Sequence, residues 1–272
     1  MMKHKDSVLR VFLLGAAAAI AMLFAAQPAG SQLVTLRHWS GQGVAPVYEG
    51  YDVNPDGSCN MWFGYMNRNY EEELDLPVGP DNSFEPGPDR GQPTHFRLRR
   101  HKDIFSVVVP NDFGDRKLVW TLNAHGQTAK VTGTLNPVWL IDRLRTTRGG
   151  NSEKVNSNTP PVVTVASPEQ TIVYPNPATL GLSATDDGLP RRAGRTVGMT
   201  VAWAKYRGPG AVAFSSATSP VSDGSAAARA TFSEPGEYVI QAVVDDGSGE
   251  SAGNFGYHCC WTNVQMKVIV KR

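Results

Sequence analysis

The chain has 272 residues, with 26 Lys and Arg against 25 Asp and Glu, and 41% of it is hydrophobic. Such a balance supplies no global basic field, which excludes charge-driven nucleic-acid binding, and the length left after a leader suits one large β domain or two smaller ones. Cysteines number 3, two of them adjacent at Cys259 and Cys260, so packed cores rather than a dense disulfide framework must hold the fold.

The first element in the chain is a leader. Lys3, Lys5 and Arg10 precede an uncharged run rich in Ala and Leu at residues 11–26, and small residues follow at Ala29, Gly30 and Ser31. The run is too short for a spanning helix, so the pattern predicts a signal peptide over residues 1–31 and a secreted or periplasmic chain with no membrane span once processed.

Residues 32–142 read as a first β-sandwich-like domain. Cys59, Met61, Phe63 and Tyr65 alternate with Asn60, Trp62, Gly64 and Met66, and Phe105, Val107 and Val109, then Leu118, Trp120 and Leu122, continue the two-residue period. Asp56-Gly57 suits a hairpin turn between residues 48–53 and 58–67. Residues 77–93, rich in Pro and Gly, predict an irregular loop without a strand of its own. The function of that loop is not legible. Glu71, Glu72, Glu73 and Asp75 predict a solvated edge on which only alternate carboxylates meet, and the basic run at Arg97, Arg99, Arg100, His101 and Lys102 predicts another. The scattered histidines, including His95 and His125, predict surface or loop positions. Trp62 lies on the face opposite Met61 and Phe63, so it belongs to a second layer or to the surface, where an indole can stack on a ligand such as a sugar ring.

Residues 143–160 have no aromatic side chain and end in Pro160, with Pro161 next, which predicts a linker with a stiff exit. From residue 161 to 272 the period is two again. Seven strands are predicted, over residues 161–166, 178–185, 200–206, 212–215, 226–232, 237–245 and 264–271. Trp203 is expected in the core from the third strand and Tyr238 as a corner tyrosine at the start of the sixth. The fold class is therefore all-β, with two β-sandwich domains in tandem.

The stretch from Asn158 to Arg272 resembles the PKD-like and related immunoglobulin-like domains of bacterial surface and secreted proteins. LSATDDG at Leu182 to Gly188, VAWAKYRGPGAVAF at Val201 to Phe214 and FSEPGEYVIQAVVDDGSG at Phe232 to Gly249 carry the likeness. Ile240 stands where antibody-type domains have Cys, which disfavours an antibody-like domain. The block from Phe63 to Phe96 resembles uncharacterised exported bacterial proteins. The first resemblance implies spacer, adhesive or accessory roles, the second implies no activity, and residues 158–272 are expected to fold alone.

Three sets of site residues follow. Strand direction places Asp186, Asp187, Asp245, Asp246 and Asn158 at one pole, where the resemblance implies a Ca²⁺ site; the competing reading is that Asp-Asp-Gly is turn chemistry. No other cofactor is expected. Cys259 and Cys260 are open to a bridge with each other, a bridge from one of them to Cys59, or a thiol metal site with His258, a disulfide being favoured in an exported chain. Trp62 is the stacking candidate. No H-E-x-x-H, G-x-S-x-G or other catalytic constellation occurs, so the expected function is non-catalytic: a structural, adhesive or binding protein of the cell envelope or extracellular space. Its expected partner is a protein or glycan at the cell surface. The alternative is an exported carbohydrate-active hydrolase or its carbohydrate-binding accessory protein.

Overall fold

The computed structural model describes residues 37–141, 158–188, 191–192, 195–196, 198–247 and 260–272. The predicted signal peptide, most of the predicted linker, His258 and Cys259 lie outside the described residues. Every regular element in the described part is a strand, apart from one short 3-10 turn at Pro137–Trp139.

The first half contains β1 (Val44–Val53), β2 (Cys59–Asn67), β3 (Leu74–Asp75), β4 (Asn82–Glu85), β5 (His95–Phe96), β6 (Arg99–Val109), β7 (Leu118–Ala124) and β8 (Gln127–Gly133). β1-β2-β6 form one antiparallel sheet, β4-β7-β8 a second, and β3 pairs with β5. β1 packs across onto β7 and β8, so the inward faces of the two larger sheets share one core. Aromatic rings dominate it. Phe84 stacks on Trp120 at 5.5 Å, and Phe105 meets Trp120 edge-on at 5.2 Å.

The segment 77–93 contains a strand after all. β4 pairs with β7, and Asn82 explains why four residues suffice. Its side chain is fully buried, accepts from Trp120 Nε1 at 3.0 Å and donates to the carbonyls of Leu76 and Pro93, both at 2.8 Å. One amide thus satisfies backbone that the proline-rich flanks leave without ladder partners.

The second half contains β9 (Val162–Val165), β10 (Glu169–Val173), β11 (Ala178–Thr185), β12 (Arg191–Arg192), β13 (Arg195–Thr196), β14 (Thr200–Arg207), β15 (Val212–Phe214), β16 (Thr218–Pro220), β17 (Ser225–Phe232), β18 (Gly236–Asp245) and β19 (Trp261–Lys271). One sheet runs β15-β17-β11-β9 and the other β10-β19-β18-β14-β16, with β10 parallel to β19 and the remaining neighbours antiparallel. That order is the immunoglobulin-like arrangement of two facing sheets. Trp203 and Tyr238 stand buried in its core. The Tyr238 hydroxyl donates to the Glu234 carbonyl at 2.9 Å and accepts from Gly210 N at 3.2 Å, so this is a tyrosine corner. Gly208, at φ 145°, is required beneath it, since a Cβ there would lie 2.2 Å from the Tyr238 ring.

Candidate functional site: the junction and its cleft

The two cores belong to one compact unit, His38–Arg272, and the outer face of the five-stranded sheet joins them. β14 is buried on both faces from Trp203 to Tyr206. Trp203 enters the second core, whereas Tyr206 enters the first. The Tyr206 hydroxyl donates to the Gly91 carbonyl at 2.5 Å, and its own carbonyl accepts from Thr94 N at 3.0 Å. Arg207 donates to the Gln92 carbonyl at 2.8 Å and forks onto Asp89 at 2.8 and 3.1 Å. The loop whose function the sequence leaves illegible is therefore a docking surface for β14.

Beside it lies a charge network. His95 sits between Glu73 (3.1 Å) and Asp75 (3.0 Å), and the same Asp75 oxygen accepts from Lys205 at 2.8 Å. Glu73 and Asp75 are alternate residues, which is why both reach one imidazole. Burial opposes a charged His95, but the bonds to Asp75 and Glu73 overcome it and raise its pKa. Bonding to His95 in turn holds Glu73 below the usual carboxylate range. Lys205, almost fully buried, completes its bonding on the Gly210 carbonyl at 2.9 Å. The acidic edge is exposed as expected, but its alternate carboxylates Glu73 and Asp75 also reach the junction through His95, whose side chain is largely buried rather than at the surface. His125 is exposed in the turn between β7 and β8, as expected, and pairs there with Glu72 at 3.0 Å.

The basic run is also engaged rather than solvated. Arg100 pairs with Glu49 at 2.5 Å, and Arg99 lies over the Tyr70 ring at 3.9 Å. Gly64 makes room for this: a Cβ there would lie 2.3 Å from the His101 carbonyl oxygen. Burial, then the nearby charge of Arg97, lowers the His101 pKa to about 4.

Opposite Gly64 the β2/β6 register shifts, with Phe63 facing Phe105 but Tyr65 facing His101. Asp103 sits in that bulge in the left-handed region, at φ 46°. Its carbonyl accepts from Asn263 Nδ2 of β19 at 2.6 Å, while Gln241 of β18 donates to the Ile104 carbonyl at 2.8 Å. A cleft of about 230 Å³ opens here, lined by Trp62, Asp103, Trp261, Thr262 and Asn263. Ile141 and Pro160 complete its rim. The indole of Trp62 is fixed by a bond from Nε1 to Asp52 Oδ2 at 2.9 Å, and the other Asp52 oxygen accepts from Asn60 at 2.7 Å. Trp62 is therefore a half-buried residue of the outer face. Trp261 opens β19 beside an aromatic from the other half, a placement that depends on the junction and leaves no local signal.

The acidic pole is assembled from turns. Asp246 accepts from Asn158 Nδ2 at 2.9 Å, and Asp187 accepts from the N–H and hydroxyl of Thr159 at 2.9 and 2.8 Å. Asp186 and Asp245 each bond the backbone N–H two residues on, at 2.9 and 2.6 Å. Burial and the charges of Asp246 and Asp187 raise the Asp186 pKa. Among the described residues, no group of three or more His, Cys, Asp or Glu is arranged to hold a metal ion. Cys59 is a buried free thiol, which rules out its bridge to the second half. Cys260 is disulfide-bonded and so is not a thiol ligand.

No family model and no curated protein matches the chain. Among solved structures, it is similar to domains 4 and 5 of the S-layer protein SbsC (13% identity, 72% of this chain and 79% of that one, TM-score 0.27). A protein of unknown function from Porphyromonas gingivalis W83 shows 11% identity over 84% of this chain and 99% of that one, at a TM-score of 0.26. The N-terminal four Ig domains of Dscam1 isoform 6.9 show 13% identity over 80% of this chain and 56% of that one, at 0.22. Scores this low carry no argument, and the immunoglobulin-like description rests on strand order, register and the two aromatic anchors. No helix among the described residues is long and apolar enough to cross a membrane.

Proposed function

We propose that this is an exported, non-catalytic structural and binding protein of the cell envelope or extracellular space, with a protein or glycan as partner. The observation that supports it best is the junction. Tyr206 donates to Gly91 O from inside the first core, and Arg207 and Lys205 pair with Asp89 and Asp75, which makes two sandwiches one stiff body able to hold surfaces in a fixed relation. The leader pattern at residues 1–31 supports export. Among the cleft-lining residues Asp103 is the one carboxylate, whereas glycoside hydrolysis ordinarily needs two flanking one bond, so the cleft suits retention of a ligand better than cleavage.

Expression in a bacterial host with fractionation tests the export reading: the exported form should begin between residues 29 and 33, and an intact Met1 in the membrane fraction would refute it. Calorimetry of that form tests the structural reading. A single transition is expected, and two independent ones would refute a stiff two-domain body.

A further inference from the structure

We infer that the junction cleft is a saccharide-binding site in which Trp62 and Trp261 flank one sugar ring and Asn263, Thr262 and Asp103 receive its hydroxyl hydrogens. This deepens the binding side of the function proposed above and rests on it.

Four observations converge. Two indoles, one from each half of the molecule, line the same small cleft. A pyranose has an apolar C–H face that stacks on an aromatic ring and a rim of hydroxyls that needs partners, so sites for it combine aromatic side chains with a few placed polar groups. Trp62 is held by its Nε1 bond to Asp52, whose second oxygen is tied to Asn60, so the stacking surface is ordered before a ligand arrives. At Asn263, Nδ2 is committed to the Asp103 carbonyl and Oδ1 is buried with no hydrogen-bond partner. A buried acceptor of that kind is expensive unless something donates to it. Thr262 donates its own hydrogen to the Pro161 carbonyl at 2.5 Å, which leaves its oxygen as an acceptor too.

The lining is thus rich in acceptors, and a polyol is rich in donors. An organic cation would also suit two indoles and a carboxylate. Two neutral acceptors beside the indoles favour hydroxyl donors over an ammonium group, which gains most from a fuller aromatic enclosure. Asp103 adds a backbone argument: this cleft-lining, non-glycine residue sits at φ 46° in a bulge, and such strain collects at ligand sites. The volume, about 230 Å³, limits the occupant to about one ring, with any further rings extending out of the cleft.

The test is a titration of the purified full chain with methyl glycosides of glucose, galactose, mannose and N-acetylglucosamine, followed by tryptophan fluorescence and by saturation-transfer NMR. At least one glycoside should bind with a dissociation constant of roughly 0.1 to 10 mM, as expected for so small a contact. Trp261→Ala should weaken it tenfold or more, with Trp261→Phe in between. Thr262→Val, which keeps the native shape, and Trp62→Phe, which keeps a smaller aromatic ring but loses the Nε1 bond to Asp52, supply the same readout should Trp261→Ala lose its native melting transition. The inference is overturned by no saturation transfer from any glycoside, by binding that none of these variants weakens, or by tetramethylammonium binding more tightly than every glycoside. None of those results alters the export or single-transition tests, so failure here is separable from failure of the proposed function.

Discussion

Tyr206 and Gly91 are 115 positions apart in the chain and joined by a hydrogen bond of 2.5 Å, with the tyrosine ring buried in a core that its own strand does not build. Burial drives the Tyr206 pKa upward, so the phenol stays a donor throughout the accessible pH range.

Tyr206→Ala should therefore cost about 3 to 5 kcal/mol and split the single thermal transition in two, whereas Tyr206→Phe, losing the hydroxyl bond alone, should cost about 1 kcal/mol and keep one transition. Calorimetry of both variants checks this. A fragment covering residues 158–272 should fold but bind a hydrophobic dye more strongly than the whole chain, since Tyr206 and Lys205 lose their cover.

Within the second core, Trp203→Ala should destabilise by about 3 to 5 kcal/mol. Trp203→Phe should cost clearly less, because the indole N–H that it removes is buried without a hydrogen-bond partner. Tyr238→Phe should cost about 1 to 2 kcal/mol, as it deletes a donated bond and leaves Gly210 N without its acceptor. Urea denaturation of the three variants gives the order directly.

Two histidines should shape the pH dependence in opposite directions. His101 titrates near 4 when folded against about 6.5 when unfolded, so it stabilises above pH 6.5, and roughly 2 to 3 kcal/mol is lost as pH falls toward 4. His95, facing Glu73 and Asp75 with Lys205 and Arg97 nearby, titrates above its unfolded value; its contribution is complete below about pH 6.5 and is lost as pH rises through the folded pKa. Stability should peak between those limits. His95→Gln should flatten the alkaline side, and His101→Gln the acidic side, in melts taken from pH 4 to pH 9 on the order of one unit apart.

At the acidic pole the raised Asp186 pKa means that ionisation is resisted by the fold, so its unfavourable effect grows as pH rises above the unfolded carboxylate value. Asp186→Asn, which keeps an acceptor for Gly188 N, should raise the melting temperature at pH 7 and bring no gain near pH 3. The same melts with Ca²⁺ and with chelator bear on the candidate Ca²⁺ site. A Ca²⁺-dependent rise in the native chain that Asp187→Ala and Asp245→Ala abolish would establish it; identical transitions would leave the pairs as turns.

Legibility in the sequence followed the range of the interactions. β11 was predicted over its full observed span, because Leu180, Leu182 and Ala184 repeat at two-residue intervals and all face one core. Trp203 and Tyr238 were legible for the same reason, an inward position flagged by local pattern. β10 was missed: Glu169–Val173 carries charge and amide side chains and is a strand by virtue of pairing with β19 across the fold. β4 was hidden by its proline and glycine flanks, and its stability comes from Asn82 reaching Trp120, Leu76 and Pro93. The half-buried outer-face position of Trp62 follows from strand parity alone. The places of Trp261 and Asn263 beside it in the cleft were not legible, since they depend on the contact of β19 with the first half and the neighbouring cysteine pair points to a disulfide, not to a cleft wall.

The placement of Tyr206 separates two meanings of the word module. A gene fusion or recombination event that joined partners somewhere in residues 142–157 would respect every visible boundary of the sequence, yet it would divide a hydrophobic core, because one side chain of the later unit completes the earlier one. Any lineage that shuffled the second sandwich elsewhere would carry Tyr206 with it uncovered, until that position changed or a new neighbour covered it. What is transferred by heredity and what is stabilised by packing therefore have different edges in this chain.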